Sequence, residues 1–157
     1  MVRLRPNVRI VSMLSIVAIA LLCWVQSGSA APDPASPFGR WHMIDDETGT
    51  ERGVIDLTEV DGAVQGRLLS AVPRPGENPL CAKCEGARKD QPIIGMVILW
   101  GLRPNGSDWD GGKILDPVKG QIYNAKASLA ENGRKLKVRG YFGVSLFGRT
   151  QTWLRDQ

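Results

Sequence analysis

From Phe38 onward, apolar and polar residues alternate with a period of two. Leu136, Val138, Gly140 and Phe142 fall on one side of a run whose other side carries Lys135, Lys137 and Arg139. Tyr123, Ala125, Ala127 and Leu129 likewise oppose Asn124, Lys126 and Ser128, and Ile55 and Leu57 oppose Asp56 and Thr58. A two-residue period is the signature of strands with one buried face. The pattern predicts eight strands: 38–45, 53–60, 63–72, 93–103, 108–115, 121–130, 134–143 and 147–155. No segment repeats at a helical period for long enough to make a substantial helix; Ala82 to Asp90 has room for a turn or two.

Turn signals stand between the runs. Asp61-Gly62, Asn105-Gly106 and Asn132-Gly133 are pairs that accept the positive φ angles of tight hairpins. Asp116-Pro117-Val118-Lys119-Gly120 makes a longer turn, and Thr48-Gly49-Thr50 joins the first two strands. A hairpin-linked meander of eight strands closes on itself, because closure removes the exposed edges. The expected fold is therefore all-β, a small eight-stranded antiparallel up-and-down barrel with one long cysteine-containing loop. A two-sheet sandwich is the alternative. Such a barrel is either filled by its own side chains or holds one small ligand. The run Ile93 to Leu102 is apolar on both faces, so its outer side needs a cover. The connection Pro73 to Pro92 is the candidate.

The first thirty residues set the compartment. Arg3, Arg5 and Arg9 precede an apolar stretch from Ile10 to Val25, and small residues from Ser27 to Ala31 follow. This is the layout of a cleaved export signal. The apolar run is short for a membrane span, and Leu22 before Cys23 argues against a lipid anchor there. The domain reading is a signal peptide over 1–30, a disordered lead-in over 31–37 and one β-barrel domain over 38–157. It implies Gram-negative-type export, a periplasmic or secreted protein and no stable membrane insertion after cleavage. Loss of the signal leaves 17 basic and 16 acidic side chains, a balance of +1. The basic character of the full chain therefore argues for no nucleic-acid partner.

Export removes Cys23 and leaves Cys81 and Cys84, separated by Ala82 and Lys83. An oxidising compartment favours a disulfide between them. A redox-active dithiol is the second reading, since Lys83 and Lys89 would lower a thiol pKa. A zinc site needs two further ligands, and the single histidine, His42, is distant in sequence. No metal site, cofactor or catalytic constellation is expected. His42 points outward on its strand, and Ser70, Ser128 and Ser145 lack a nucleophile setting. The acidic run Asp45-Asp46-Glu47 reads as a solvated hairpin end.

The chain also carries a specific succession of motifs. Phe38-Gly39-Arg40-Trp41 opens the first strand. Asn78-Pro79, Cys81-x-x-Cys84 and Pro92-Ile93-Ile94-Gly95 come next, followed by Trp109-Asp110-Gly111-Gly112-Lys113-Ile114-Leu115-Asp116-Pro117 and Gly120-Gln121-Ile122-Tyr123. Val138-Arg139-Gly140-Tyr141 and Leu146-Phe147-Gly148-Arg149-Thr150-Gln151-Thr152-Trp153 close it. This order resembles the secreted bacterial family known as domain of unknown function 2147. The resemblance spans nearly all of the chain after the signal. It implies a lipocalin-like barrel and no established activity. Gly39 and Trp41 are similar to the Gly-x-Trp of lipocalins, whose tryptophan packs across the closed barrel end under a basic residue of the last strand. Arg149 or Arg155 would supply that residue, and Arg149 is the expected one.

A lining of Trp41, Met43, Met96, Tyr123 and Phe142 would contact a small hydrophobic ligand. Trp100, Trp109 and Trp153 are core or lining residues as well. The interior is expected to include Met43, Leu57, Tyr123, Ala127, Val138 and Phe142. Three functions follow from this reading: a small-molecule carrier or sensor, a protein-interaction module using loop 73–92, and a thiol oxidoreductase acting through Cys81 and Cys84. The sequence names no protein partner.

Overall fold

A computed structural model describes residues 33–144, 146 and 148–156. The export signal expected over 1–30 lies outside the described residues. Eight strands form one closed antiparallel barrel in chain order. They are β1 (Gly39–Ile44), β2 (Glu51–Val60), β3 (Ala63–Ala71), β4 (Val97–Asn105), β5 (Asp108–Asp116), β6 (Gln121–Ala130), β7 (Lys135–Tyr141) and β8 (Gly148–Arg155). Among the described residues, helix is confined to a 3-10 turn over Gly86–Arg88, inside the segment where a turn or two is expected. Strand β1 closes the ring on β8, with Trp41 opposite Arg155 and Met43 opposite Trp153.

The barrel has two unlike ends. At one lie the tight connections β2–β3, β4–β5 and β6–β7; at the other lie β1–β2, the long β3–β4 segment, β5–β6 and β7–β8. The first end is closed. Trp41, fully buried, donates from its indole Nε1 to the Pro37 carbonyl at 2.8 Å. The Arg155 guanidinium lies 4.2 Å above the Trp41 ring. It also donates to the carbonyls of Gly133 (2.6 Å), Phe38 (3.0 Å) and Ser36 (2.6 Å). The described part of the 31–37 lead-in is thus not slack. Asp33 to Pro37 crosses the barrel end, where its carbonyls accept from Trp41 and Arg155. Gly133, at φ +75°, lets the β6–β7 turn touch the Pro34 backbone where any Cβ would collide.

Above this floor the core is packed solid. Ile55, Leu57, Leu99, Leu102, Leu136, Val138 and Trp153 are fully buried. Two glycines make the interlock possible. A Cβ on Gly66 would stand 2.7 Å from Ile55 Cδ1, and one on Gly112 would stand 2.6 Å from Leu102 Cγ. The expected interior residues Leu57, Ala127 and Val138 are buried. Phe142 is not. Strand β7 ends at Tyr141, so Phe142 lies beyond the pleat and is 55% exposed, packed on Tyr123 with ring centroids 4.5 Å apart.

The long β3–β4 segment covers part of the barrel wall, as the two-faced apolar run requires. Cys81, Cys84 and Ile93 join Ile98 and Leu115 in one buried cluster, and the Arg88 guanidinium sits 4.6 Å over the Trp100 ring. Strand β4 begins at Val97 rather than at Ile93. Residues 93–96 instead fold back across the segment. The Ile93 N–H donates to the Pro79 carbonyl at 3.0 Å, and the Gly95 N–H donates to the Leu68 carbonyl at 2.7 Å. Gly95 has φ +87°, which breaks the extended backbone there.

Candidate functional site

The open end holds two adjoining cavities. The larger, of about 330 Å³, lies between the barrel rim and the long segment; Met43, Leu68, Ala71, Ile93, Ile98 and Leu115 supply apolar wall. The smaller, of about 230 Å³, is bordered by Ile114, Tyr123, Val138, Gly140, Tyr141 and Phe142. Asp116, Lys119, Arg149 and Gln151 line both. Alternation puts them there. Gln151 and Arg149 continue the inward series of Arg155 and Trp153 along β8, and Asp116 ends β5 two positions beyond Ile114.

Charged groups at this rim fall into two sets. One is a closed network. Asp45, nearly fully buried, is paired with Arg74 and accepts the N–H groups of Glu47 and Thr48 at 3.0 Å each through Oδ1. Glu77 takes the Arg52 guanidinium at 2.7 Å and the Arg74 N–H at 2.6 Å. The Thr48 and Glu47 N–H groups, helped by Arg74, hold the Asp45 carboxyl below its usual range. Partial burial pushes Glu77 up. The Arg74 N–H and the Arg52 guanidinium overcome it, and the carboxyl lies below its usual range.

The second set is loose. Lys119 Nζ stands 3.7 Å from Asp116, while Arg149 reaches Asp46 at 3.3 Å and Glu47 at 3.8 Å. Such separations exceed the roughly 2.7–2.9 Å of a charge-assisted hydrogen bond. The acidic run thus caps its own turn and pairs with arginines. Among the described residues no group of three or more His, Cys, Asp or Glu side chains could hold a metal ion.

Of the expected lining residues, Met43 borders the larger cavity and Tyr123 and Phe142 the smaller. Trp41 does not border either, because it plugs the opposite end. Met96 does not either; it borders a shallow outer depression with Arg67 and Arg88. The basic residue over Trp41 is Arg155 and not Arg149, which lies at the mouth. Of the polar members of the mouth, the sequence singles out Arg149 alone, and for barrel closure; Asp116, Lys119 and Gln151 carry no ligand-site signal there. The inward parity of β8 is the signal that would have flagged Arg149 and Gln151.

The cysteine sulfurs are at disulfide distance, with Cα atoms 5.3 Å apart. Both residues are buried, and Cys81 Sγ lies 3.2 Å from the Pro117 carbonyl oxygen. Catalytic thiols are partly exposed in electropositive surroundings, so this pair fits a structural staple. His42 faces outward, 2.8 Å from Glu51 and 3.3 Å from Asp156.

A meander barrel with one plugged end, one open end and a Trp–Arg stack on the floor is a lipocalin-like architecture. The chain belongs to the family described as "Uncharacterized protein conserved in bacteria (DUF2147)", whose model matches residues 39–155. A solved structure, that of protein HP1028 from Helicobacter pylori, described as belonging to the lipocalin family, is similar to it. That likeness has a TM-score of 0.66 at 19% identity and covers 78% of this chain and 84% of the other. At that identity it speaks for the fold. No curated protein matches the sequence.

Proposed function

We propose that this protein is an exported carrier or sensor that binds one small hydrophobic molecule at the open end of its barrel. The observation that carries the reading is the cavity of about 330 Å³, apolar along much of its wall, above a solid floor. Small-molecule sites span roughly 300–1,000 Å³ and combine apolar walls with a few convergent polar groups. The rim supports the same reading. Val72, Ile94, Val118, Phe142, Val144 and Leu146 are exposed large hydrophobics in the open-end connections, and Leu146 is 78% exposed. An apolar entrance eases transfer of a ligand that water disfavours. The H. pylori protein of the lipocalin family has the same kind of barrel. Loop 73–92 gives the interaction-module alternative little support, since Leu80 is the large hydrophobic side chain it exposes.

Protein purified from its own periplasm and sprayed under native conditions should carry a mass excess that disappears on denaturation. The stripped protein should take up N-phenyl-1-naphthylamine with a saturable rise in fluorescence. Failure of both measurements would sink the carrier reading. Retention of residues 1–30 in the intact mass would sink the export reading.

A further inference from the structure

We infer that the ligand is a single-chain amphiphile with an anionic head group, held at the mouth by Lys119 and Arg149 with its tail in the larger cavity. The inference rests on the carrier reading and adds the ligand's chemical class. Size gives the first constraint: about 330 Å³ is near the lower bound for small-molecule sites. It admits one chain and excludes bulky two-chain lipids.

Charge gives the second. Arg52, Arg74, Asp45 and Glu77 pair with one another, two cations against two carboxylates, so the charge of this set is already matched. Lys119 and Arg149 differ. Both border both cavities, their side chains are 64% and 55% exposed, and their acidic partners stand 3.3 Å or more away. Asp116 faces the same junction, but its Oδ1 already accepts the N–H groups of Val118 (3.0 Å) and Lys119 (3.1 Å). Asp46 and Glu47 belong to the exposed β1–β2 turn, from which Arg149 can swing to a carboxylate above the cavity. Gln151 accepts the Trp153 Nε1 proton at 3.3 Å through Oε1, which leaves its NH₂ as a donor on the wall both cavities share. The junction thus presents two cations held only in long contacts, Lys119 with Asp116 and Arg149 with Asp46 and Glu47, beside an amide donor. That set complements an oxyanion.

The test is displacement of bound N-phenyl-1-naphthylamine by laurate, dodecanol and dodecylammonium at pH 7.5, below their micellar concentrations. Laurate should bind at least tenfold more tightly than dodecanol, and dodecylammonium should bind most weakly. In the K119Q/R149Q double variant, its fold checked by thermal melting, the laurate-to-dodecanol ratio should fall below threefold. R149K in the wild-type background should keep most of the ratio. Equal affinities for laurate and dodecanol, a preference for the amine, or an unchanged ratio in the double variant would overturn the head-group assignment and leave the carrier reading standing. Absence of any probe uptake, together with no ligand mass in the native spectrum, would overturn both.

Discussion

Arg155 lies over the Trp41 indole while its three guanidinium nitrogens donate to three different carbonyl oxygens, those of Gly133, Phe38 and Ser36. The planar fork suits this work in a way an ammonium does not. Burial pushes its pKa down from the ordinary arginine value, against the attraction of the Asp33 carboxylate. Trp41→Ala should cost roughly 3–5 kcal/mol, as for other fully buried aromatic truncations. Arg155→Ala should cost at least the roughly 1.5–3 kcal/mol of one hydrogen bond to a charged group. Because the two side chains touch, urea melts of the two single variants and the double variant should give a coupling energy on the order of 1 kcal/mol. Strict additivity would mean that the stack contributes nothing. The sequence made Trp41 legible as an end plug, but it left two arginines as its partner. Arg149 and Arg155 share the inward parity of β8, and only the pairing register, Trp41 opposite Arg155, separates them by the length of the strand.

Strands and turns were legible where local chemistry decides them. Asp61 and Gly62 both take positive φ, 53° and 70°, as their side chains predict. The Asn105-Gly106 signal is displaced by one residue. Asn105 pairs with Asp108, so Gly106 and Ser107 make the turn, with Gly106 at φ 63°. Residues 93–96 lie outside β4 although the pattern predicts strand there, because an apolar run looks the same whether it enters a sheet or packs onto one. The long segment's fold depends on contacts distant in sequence. His42 is a case in which period two was enough. It faces outward from β1 and ties that strand to Glu51 on β2 and to Asp156 beyond β8. The hydrogen bond to Glu51, then that to Asp156, raises its pKa above the ordinary 6.5. A group whose pKa rises on folding stabilises the fold fully below its unfolded value and ceases to as pH climbs through the folded value. Urea midpoints of the wild type should therefore fall as pH rises above about 6.5. His42→Gln should flatten that slope. An identical slope in the variant would assign the pH dependence to other groups.

On the scale of the whole molecule, one barrel divides its interior between two tasks. From the Trp41 plug to the level of Gly112 and Gly66 the volume is filled, and toward the open end it is hollow. The sequence foresaw a barrel that was either solid or hollow. It did not foresee both, because alternation reports which side chains point inward and not how far up the barrel they interlock. The division has a separable consequence. Gly112→Ala places a Cβ against the Leu102 side chain and, at 2.9 Å, its backbone nitrogen, so relief requires movement of β4 itself. Overpacking of this kind costs about 1–3 kcal/mol. Ala71→Trp instead fills the larger cavity at a half-exposed wall position, where open space receives the indole. Gly112→Ala should lower the urea midpoint and leave the affinity for N-phenyl-1-naphthylamine within a factor of three. Ala71→Trp should weaken that affinity at least tenfold and leave the midpoint nearly unchanged. If the glycine variant also lost the probe, or the alanine variant also lost stability, floor and mouth would be one cooperative unit. A ligand arriving at the mouth would then be read by the entire core.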